Sequence, residues 1–324
     1  MLSGQSFWPL YAWKVLYSPG HYITKVLGFL TGISKRVLLL FQAWSYDFIF
    51  LHREALPLGP PVFEWLLAKV LKKRLIYDFD DAIWIENTTS SNRWARYLKN
   101  SGKVPLICNW SYRISAGNSY LARYAMKHNT RVTINPTTID TERLHDPELY
   151  PKAHHENEVI IGWTGTHSTL KYIQSLNHVL KEILQKYPQC RLRIIADKAP
   201  EMDTSYEFVP WCKESEIPDL IEIDIGLMPL PDDEWAQGKC GFKLLQFMAR
   251  GTPVLCSPVG VNKEITMQNI NGLLCQDEKE WLNHLDMLIS QKDFRLRLGK
   301  KGREKVVSQY SVVSNSENFL SLFS

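Results

Sequence analysis

Along the chain, short apolar or β-branched runs bounded by polar turns alternate with longer stretches whose apolar residues recur every three or four positions. The first period predicts strands and the second helices. The predicted strands are Asp47–His52, Leu75–Asp80, Arg113–Ala116 and Arg131–Asn135, then Val159–Trp163, Leu192–Ala196, Ile223–Pro229, Pro253–Ser257 and Gly272–Cys275. Helical periodicity covers Val62–Lys73, Ser119–His128, Thr169–Tyr187, Phe242–Arg250, Asp277–Ser290 and Phe294–Ser308. Such alternation indicates an α/β fold with parallel sheets. Asn135–Asp140 and the polar segment Asp146–Glu158 read as a linker, giving a first domain over residues 1–150 and a second over 151–309.

The halves are unequal. The opening 45 residues hold no convincing strand and no Gly-rich turn after one, although an α/β domain normally begins with both. Either this domain is abbreviated or the chain starts downstream of its natural beginning, and the second is the expectation. Met1–Leu10 lacks a basic start followed by an apolar core, so no secretory leader is expected. The longest uninterrupted apolar runs, such as Val37–Phe41, fall far short of the roughly 20 residues a spanning helix needs. A cytoplasmic protein, soluble or peripheral at the cytoplasmic membrane, is the expectation.

Composition refines this picture only in places. The 324 residues suffice for two domains, and a net charge of +4 is too small to suggest a nucleic-acid partner. Residues 1–150 carry 18 Lys and Arg against 11 Asp and Glu, whereas the remainder carries 20 against 23. A basic, aromatic-rich first half suits an anionic membrane surface or acceptor, with a solvated basic face as the alternative. The six cysteines have neither C-x-x-C pairing nor a zinc spacing, so reduced, mostly packed thiols are expected, Cys240 as a space-filling residue included.

Three constellations could carry chemistry. In Ile225–Thr266, a strand meets the loop Gly238-Lys239-Cys240-Gly241, which opens a helix at Phe242; a short strand and the turn Pro258-Val259-Gly260 follow. Glycines and a helix N-terminus suit an anion. Lys239 and Lys243 oppose the helix dipole there, which argues for a bound phosphate over two solvated lysines. Val261, Asn262 and Glu264 open the next turn.

The second constellation, Gly165-Thr166-His167-Ser168-Thr169, turns from a strand into a helix, with Lys171 within reach of a diphosphate. A plain N-capped helix is its bland alternative. The third is Asp78-Phe79-Asp80-Asp81 at a strand's C-terminal end, where α/β proteins place ligands. Alternation puts Asp78 and Asp80 on one face and Asp81 towards the crevice. These carboxylates could bind a divalent metal, accept a phosphoryl group at Asp78, orient a sugar hydroxyl, or simply cap the next segment.

Taken together, Gly238–Val254, Ser257–Ile265, Asn271–Cys275, Tyr77–Trp84, Ile161–Ile173 and Asn135–Asp140 resemble the GT-B glycosyltransferases. The likeness is to the family 4 group that includes sugar transferases of bacterial cell-surface polysaccharide synthesis, and it covers nearly the whole chain. It implies two facing Rossmann-like domains, the first lacking its initial strand and Gly-rich loop, with residues 310–324 as a helix crossing back to it. The second domain would bind a nucleotide-diphosphate sugar and the first a saccharide or lipid-linked acceptor. No metal would be required, and transfer would proceed with retention.

In that reading Gly165, Thr166, His167, Lys171, Lys239, Gly241, Phe242, Gln246, Gly260, Val261, Asn262 and Glu264 hold the donor. Trp211 is a base-stacking candidate, with core packing as its alternative, and Asp80, Asp81 and Lys243 carry catalysis. Two departures stand out. Thr166 occupies the place of an Arg in many relatives, and Gly238 and Gln246 occupy the places of two Glu residues. Lys239 and Lys243 would replace missing positive charge, while Gln246 can hydrogen-bond a hydroxyl but is no carboxylate. A non-catalytic GT-B-like binding protein and an Asp78-dependent phosphatase are the rival readings.

Overall fold

The computed structural model describes residues 6–16, 18, 20–85, 102–152 and 158–324. Residues 1–5 of the Met1–Leu10 stretch, in which no leader is expected, and residues 153–157 of the expected linker lie outside these. The chain forms two compact units, residues 1–134 with 320–324, and residues 135–319.

In the first unit, β1 (Phe48–His52), β2 (Arg74–Phe79), β3 (Arg113–Ala116) and β4 (Val132–Ile134) make a parallel sheet in that spatial order. β2 is buried along Leu75–Tyr77, as a central strand covered on both faces must be. The predicted helix Val62–Lys73 is a single α turn, Val62–Trp65, continued by a π turn, Leu66–Val70. The closing turn Ser321–Phe323 packs here: the Phe323 ring lies 5.7 Å from Phe48, and Tyr112 donates to the Ser324 carbonyl.

Several helices were not anticipated, Lys103–Trp110 and Glu216–Ile221 among them. A longer one, Tyr22–Ala43, takes up 22 of the opening 45 residues, and by length and composition it could cross a membrane. A search for unbroken apolar runs misses it because Thr24, Lys25, Thr31, Ser34, Lys35 and Arg36 interrupt the stretch. The same helix read at a period of 3.6 is apolar on more than one face.

The second unit holds a six-stranded parallel sheet. β5 (Val159–Thr164), β6 (Cys190–Ala196) and β7 (Glu207–Pro210) run outward one way, and β8 (Ile225–Met228), β9 (Val254–Cys256) and β10 (Leu273–Leu274) the other, in the order β10-β9-β8-β5-β6-β7. Strand order therefore reverses between β5 and β8. Every residue of β5 is buried. Ile161 and Trp163 face one apolar cluster with Leu170, Ile173, Trp281 and Leu285; Ile160 faces another with Leu244, Phe247, Val254 and Val306. The predicted helix Thr169–Tyr187 is broken into Leu170–Gln174 and Asn177–Lys186.

At the reversal, Gly162 of β5 lies in register with Gly226 of β8. A Cβ at Gly162 would stand 2.3 Å from Ile223, and one at Gly226 2.5 Å from the Phe247 ring. The glycine pair thus leaves a notch that Ile223 and Phe247 fill, seating helix Phe242–Ala249 close on the sheet. Overpacking of this kind costs about 1–3 kcal/mol. Gly226→Ala should lower the urea-unfolding free energy by roughly that amount, and an unchanged midpoint would show that the notch does not set this packing.

Candidate functional site

In an open parallel sheet the crevice outside the strand C-termini at a reversal of order is where ligands bind. Here that position is flanked by the turn after β5 and the loop between β8 and helix Phe242–Ala249, which are the second and first constellations of the sequence. The structure brings them together. Lys243, in the helix's first turn, lays its ammonium 4.5 Å from the Trp163 ring centroid. A Cβ at Gly165 would meet that ammonium at 2.8 Å and the indole at 2.1 Å. Only a glycine at 165 lets the three groups share this space.

Gly241 caps the helix with φ of 72°, a left-handed conformation that favours glycine, and no side chain caps the helix. Gly260 (φ 53°) packs so closely that a Cβ would stand 2.9 Å from the Gln237 carbonyl oxygen, which brings the Val259–Val261 turn beside the Gly238–Gly241 loop. Phe242 is exposed. Lys239 sets its ammonium 4.8 Å from the Trp235 ring. Burial pushes the Lys243 ammonium down to about 7, and the Lys239 charge acts in the same direction. A helix N-terminus and two like charges thus face one small region, which favours an anion there.

Several predicted roles change. The β5 turn is a capped 3-10 turn, His167–Thr169, in which Thr166 and Thr169 cap each other and the Thr166 and Ser168 hydroxyls are 2.9 Å apart. Those hydroxyls close the turn rather than present a long helix's N-terminus to a ligand. His167 is held at Asp197, whose carboxylate takes both its backbone N–H and its Nδ1. Lys171 is exposed, 5.3 Å from the Tyr172 ring.

Asn262 is fully buried, its amide donating to the Ser257 carbonyl, so it braces the loop instead of reaching a sugar. Its Oδ1 is buried without a partner. Glu264 is exposed. Gln246 is also buried, its amide donating to Glu216 at 3.3 Å. The same Glu216 oxygen accepts the Trp211 indole N–H, while the Trp211 ring stays exposed rather than entering the core. Asp197 and Glu216 escaped the sequence reading because no glycine marks the turns after the strands that precede them.

In the first unit, strand register lines up His52, Asp78 and Ser115 across β1, β2 and β3. Ser115 donates to Asp78 at 2.6 Å, and His52 Nδ1 lies 2.7 Å from the other carboxylate oxygen. That bond, chiefly, holds the His52 pKa above its usual value. With both oxygens engaged, Asp78 is a poor phosphoryl acceptor. Asp80 and Asp81, expected on different faces, share one partner: Arg53 contacts Asp80 at 2.8 Å and Asp81 at 2.7 Å. The alternation fails because β2 ends at Phe79. His52 ends β1 and Arg53 follows it, so the criterion that found the aspartates would have found them. Among the described residues no group of three His, Cys, Asp or Glu side chains could hold a metal ion.

Against known proteins, residues 158–291 match the family described as "Glycosyl transferases group 1". No curated protein matches by sequence. Among solved structures, the chain is similar to sucrose-phosphate synthase from Thermosynechococcus elongatus, at 14% identity and a TM-score of 0.64, covering 91% of this chain and 77% of that one. Anabaena HepE in complex with UDP and glucose gives 12% identity and a TM-score of 0.64 over 90% and 81%. A glycosyltransferase from Rickettsia africae gives 13% and 0.63 over 90% and 80%. The fold is that of these proteins, GT-B, with two Rossmann-like domains.

The half-buried Lys243 has a signature in stability. Its folded pKa lies below the ordinary lysine value, so between about 7 and that value the unfolded chain binds the extra proton. Stability should rise with pH through this window and carry the full burial penalty below it. Lys243→Met should be more stable than the parent near neutrality, with the difference shrinking towards alkaline pH in thermal melts. Parallel pH profiles for the two proteins would contradict the assignment.

Proposed function

We propose that this chain, whose residues 158–291 carry a group 1 glycosyltransferase domain, moves a sugar from a nucleotide-diphosphate donor to a saccharide or lipid-linked acceptor. The reading extends to retention at the anomeric carbon, no metal requirement and a role in cell-surface polysaccharide synthesis. What supports it most is the meeting of Lys243, the Gly165 turn and the start of helix Phe242–Ala249 at the reversal of strand order. HepE, of the same fold, is solved with UDP, and a uridine diphosphate sugar is the first donor to try.

In this mechanism the charge that develops on the departing diphosphate is met by preorganised groups, the helix N-terminus and the Lys243 and Lys239 ammoniums. Each such donor contributes roughly 3 kcal/mol to the transition state. The diphosphate also restores to Lys243 the charge that burial suppresses. The exposed Trp211 ring offers a face to the nucleobase, and Glu216, which orients that ring, supplies a carboxylate for ribose hydroxyls where Gln246 cannot. In the first unit, His52, Asp80 and Asp81, ordered by Asp78 and Arg53, would orient the acceptor hydroxyl. None of the six cysteines forms a disulfide, which suits the reducing cytoplasm.

One observation favours a second reading. With Gly238 and the buried Gln246 at the places of two family glutamates, the domain could bind a nucleotide sugar without turning it over. Thermal shift across UDP-, GDP- and ADP-sugars, followed by transfer of labelled sugar, separates the two: a shift without transfer or donor hydrolysis would leave binding alone.

Two outcomes test the residue roles. Lys243→Ala should weaken donor binding roughly tenfold to a hundredfold, and at pH 8 the parent should take up a proton on binding, read by calorimetry in buffers of different ionisation enthalpy. Binding with no proton uptake would remove Lys243 from the diphosphate. Asp80→Asn should lower turnover while leaving donor affinity unchanged; a loss of donor affinity instead would contradict its acceptor role.

A further inference from the structure

We infer that the outward face of helix Tyr22–Ala43 docks into the interface of a membrane containing anionic phospholipid. Ile23, Val26, Leu27, Leu30, Leu38 and Phe41 recur at three-, four- and seven-residue steps and so line one face. All are more than half exposed, Ile23 and Phe41 about three-quarters. Only 17% of the helix's most apolar stretch is buried. A contiguous apolar face of this length marks an interaction surface. Ser34 and Thr31, the hydroxyls on or beside it, donate back to the Leu30 and Leu27 carbonyls and present no unmatched donor to an apolar medium.

The opposite face belongs to the protein. Gly28 lies against Ala12, Gly32 lies under the Phe7 ring, and Arg36 donates to the Ala55 carbonyl. Phe29, Ile33 and Leu40 pack on the cluster of Phe7, Ala55, Leu56 and Phe63. A helix fixed along one side lies on a membrane rather than crossing it.

Charge selects the partner. Residues 1–46 contain Lys14, Lys25, Lys35 and Arg36 and no Asp or Glu. A second copy would bring these cations face to face, whereas an anionic surface neutralises them. Beside the helix, a groove of about 420 Å³ lined by Trp8, Leu10, Trp13 and Lys35 combines aromatic walls with one ammonium, a fit for an acyl chain beneath a phosphate.

Flotation of the full chain with vesicles tests this independently of any sugar transfer. The protein should float with phosphatidylcholine vesicles containing phosphatidylglycerol, less with phosphatidylcholine alone, and less as salt rises. The double variant Leu27→Glu, Leu38→Glu should lose about tenfold or more in partitioning with its circular dichroism and melting midpoint unchanged, since both side chains are exposed. An alkaline carbonate wash should release the parent. Failure to bind either vesicle, binding unaffected by the double variant, retention through the wash, or a dimer that the variant abolishes without any vesicle binding would each overturn the proposal.

Discussion

The pairing of Gly162 with Gly226 at the point where strand order reverses governs the second unit. Two missing side chains on one face of the sheet let Ile223 and the Phe247 ring sink into the space. Phe247 in turn fixes how deeply helix Phe242–Ala249 sits, and so where its first turn meets the end of β5. Lys243 reaches Trp163 and the Gly165 turn because the helix is held that close. A packing constraint in the middle of the sheet thereby determines electrostatics at its edge. The Lys243 ammonium, confined against an indole with another cation nearby, is held in a state that an arriving anion relieves.

The first unit builds its polar cluster by register rather than by close packing. Three parallel strands put His52, Asp78 and Ser115 side by side, and the left-handed backbone at Arg53 turns its guanidinium onto Asp80 and Asp81. Each carboxylate has a partner that sets its orientation, so the cluster is ordered before any substrate arrives.

Much of this was legible in the sequence because period and punctuation suffice for it. The buried strands Val159–Trp163 and Leu75–Asp80, the glycine loop before Phe242 and the turn at Gly260 all announce themselves locally. What escaped depends on distant partners. Whether Gln246 meets solvent or Glu216 is decided by how the chain folds across a separation of 30 positions, and Asn262 likewise turns inward through the fold. The β5 turn kept its glycine and hydroxyls but used the hydroxyls on itself, since Thr166 and Thr169 find each other before anything else can. Helix Tyr22–Ala43 was lost because its scattered polar residues broke the apolar run, although the 3.6-residue period was there to be read.

The shared carboxylate of Glu216 ties two positions of the second unit together. It accepts from the buried Gln246 amide and from the Trp211 indole through one oxygen. A glutamate at 246 would set two carboxylates at hydrogen-bonding distance in a half-buried site, where like charges cannot both remain ionised without cost. The two positions therefore act as one unit of substitution: a carboxylate at 246 is compatible with an amide, rather than a second carboxylate, at 216.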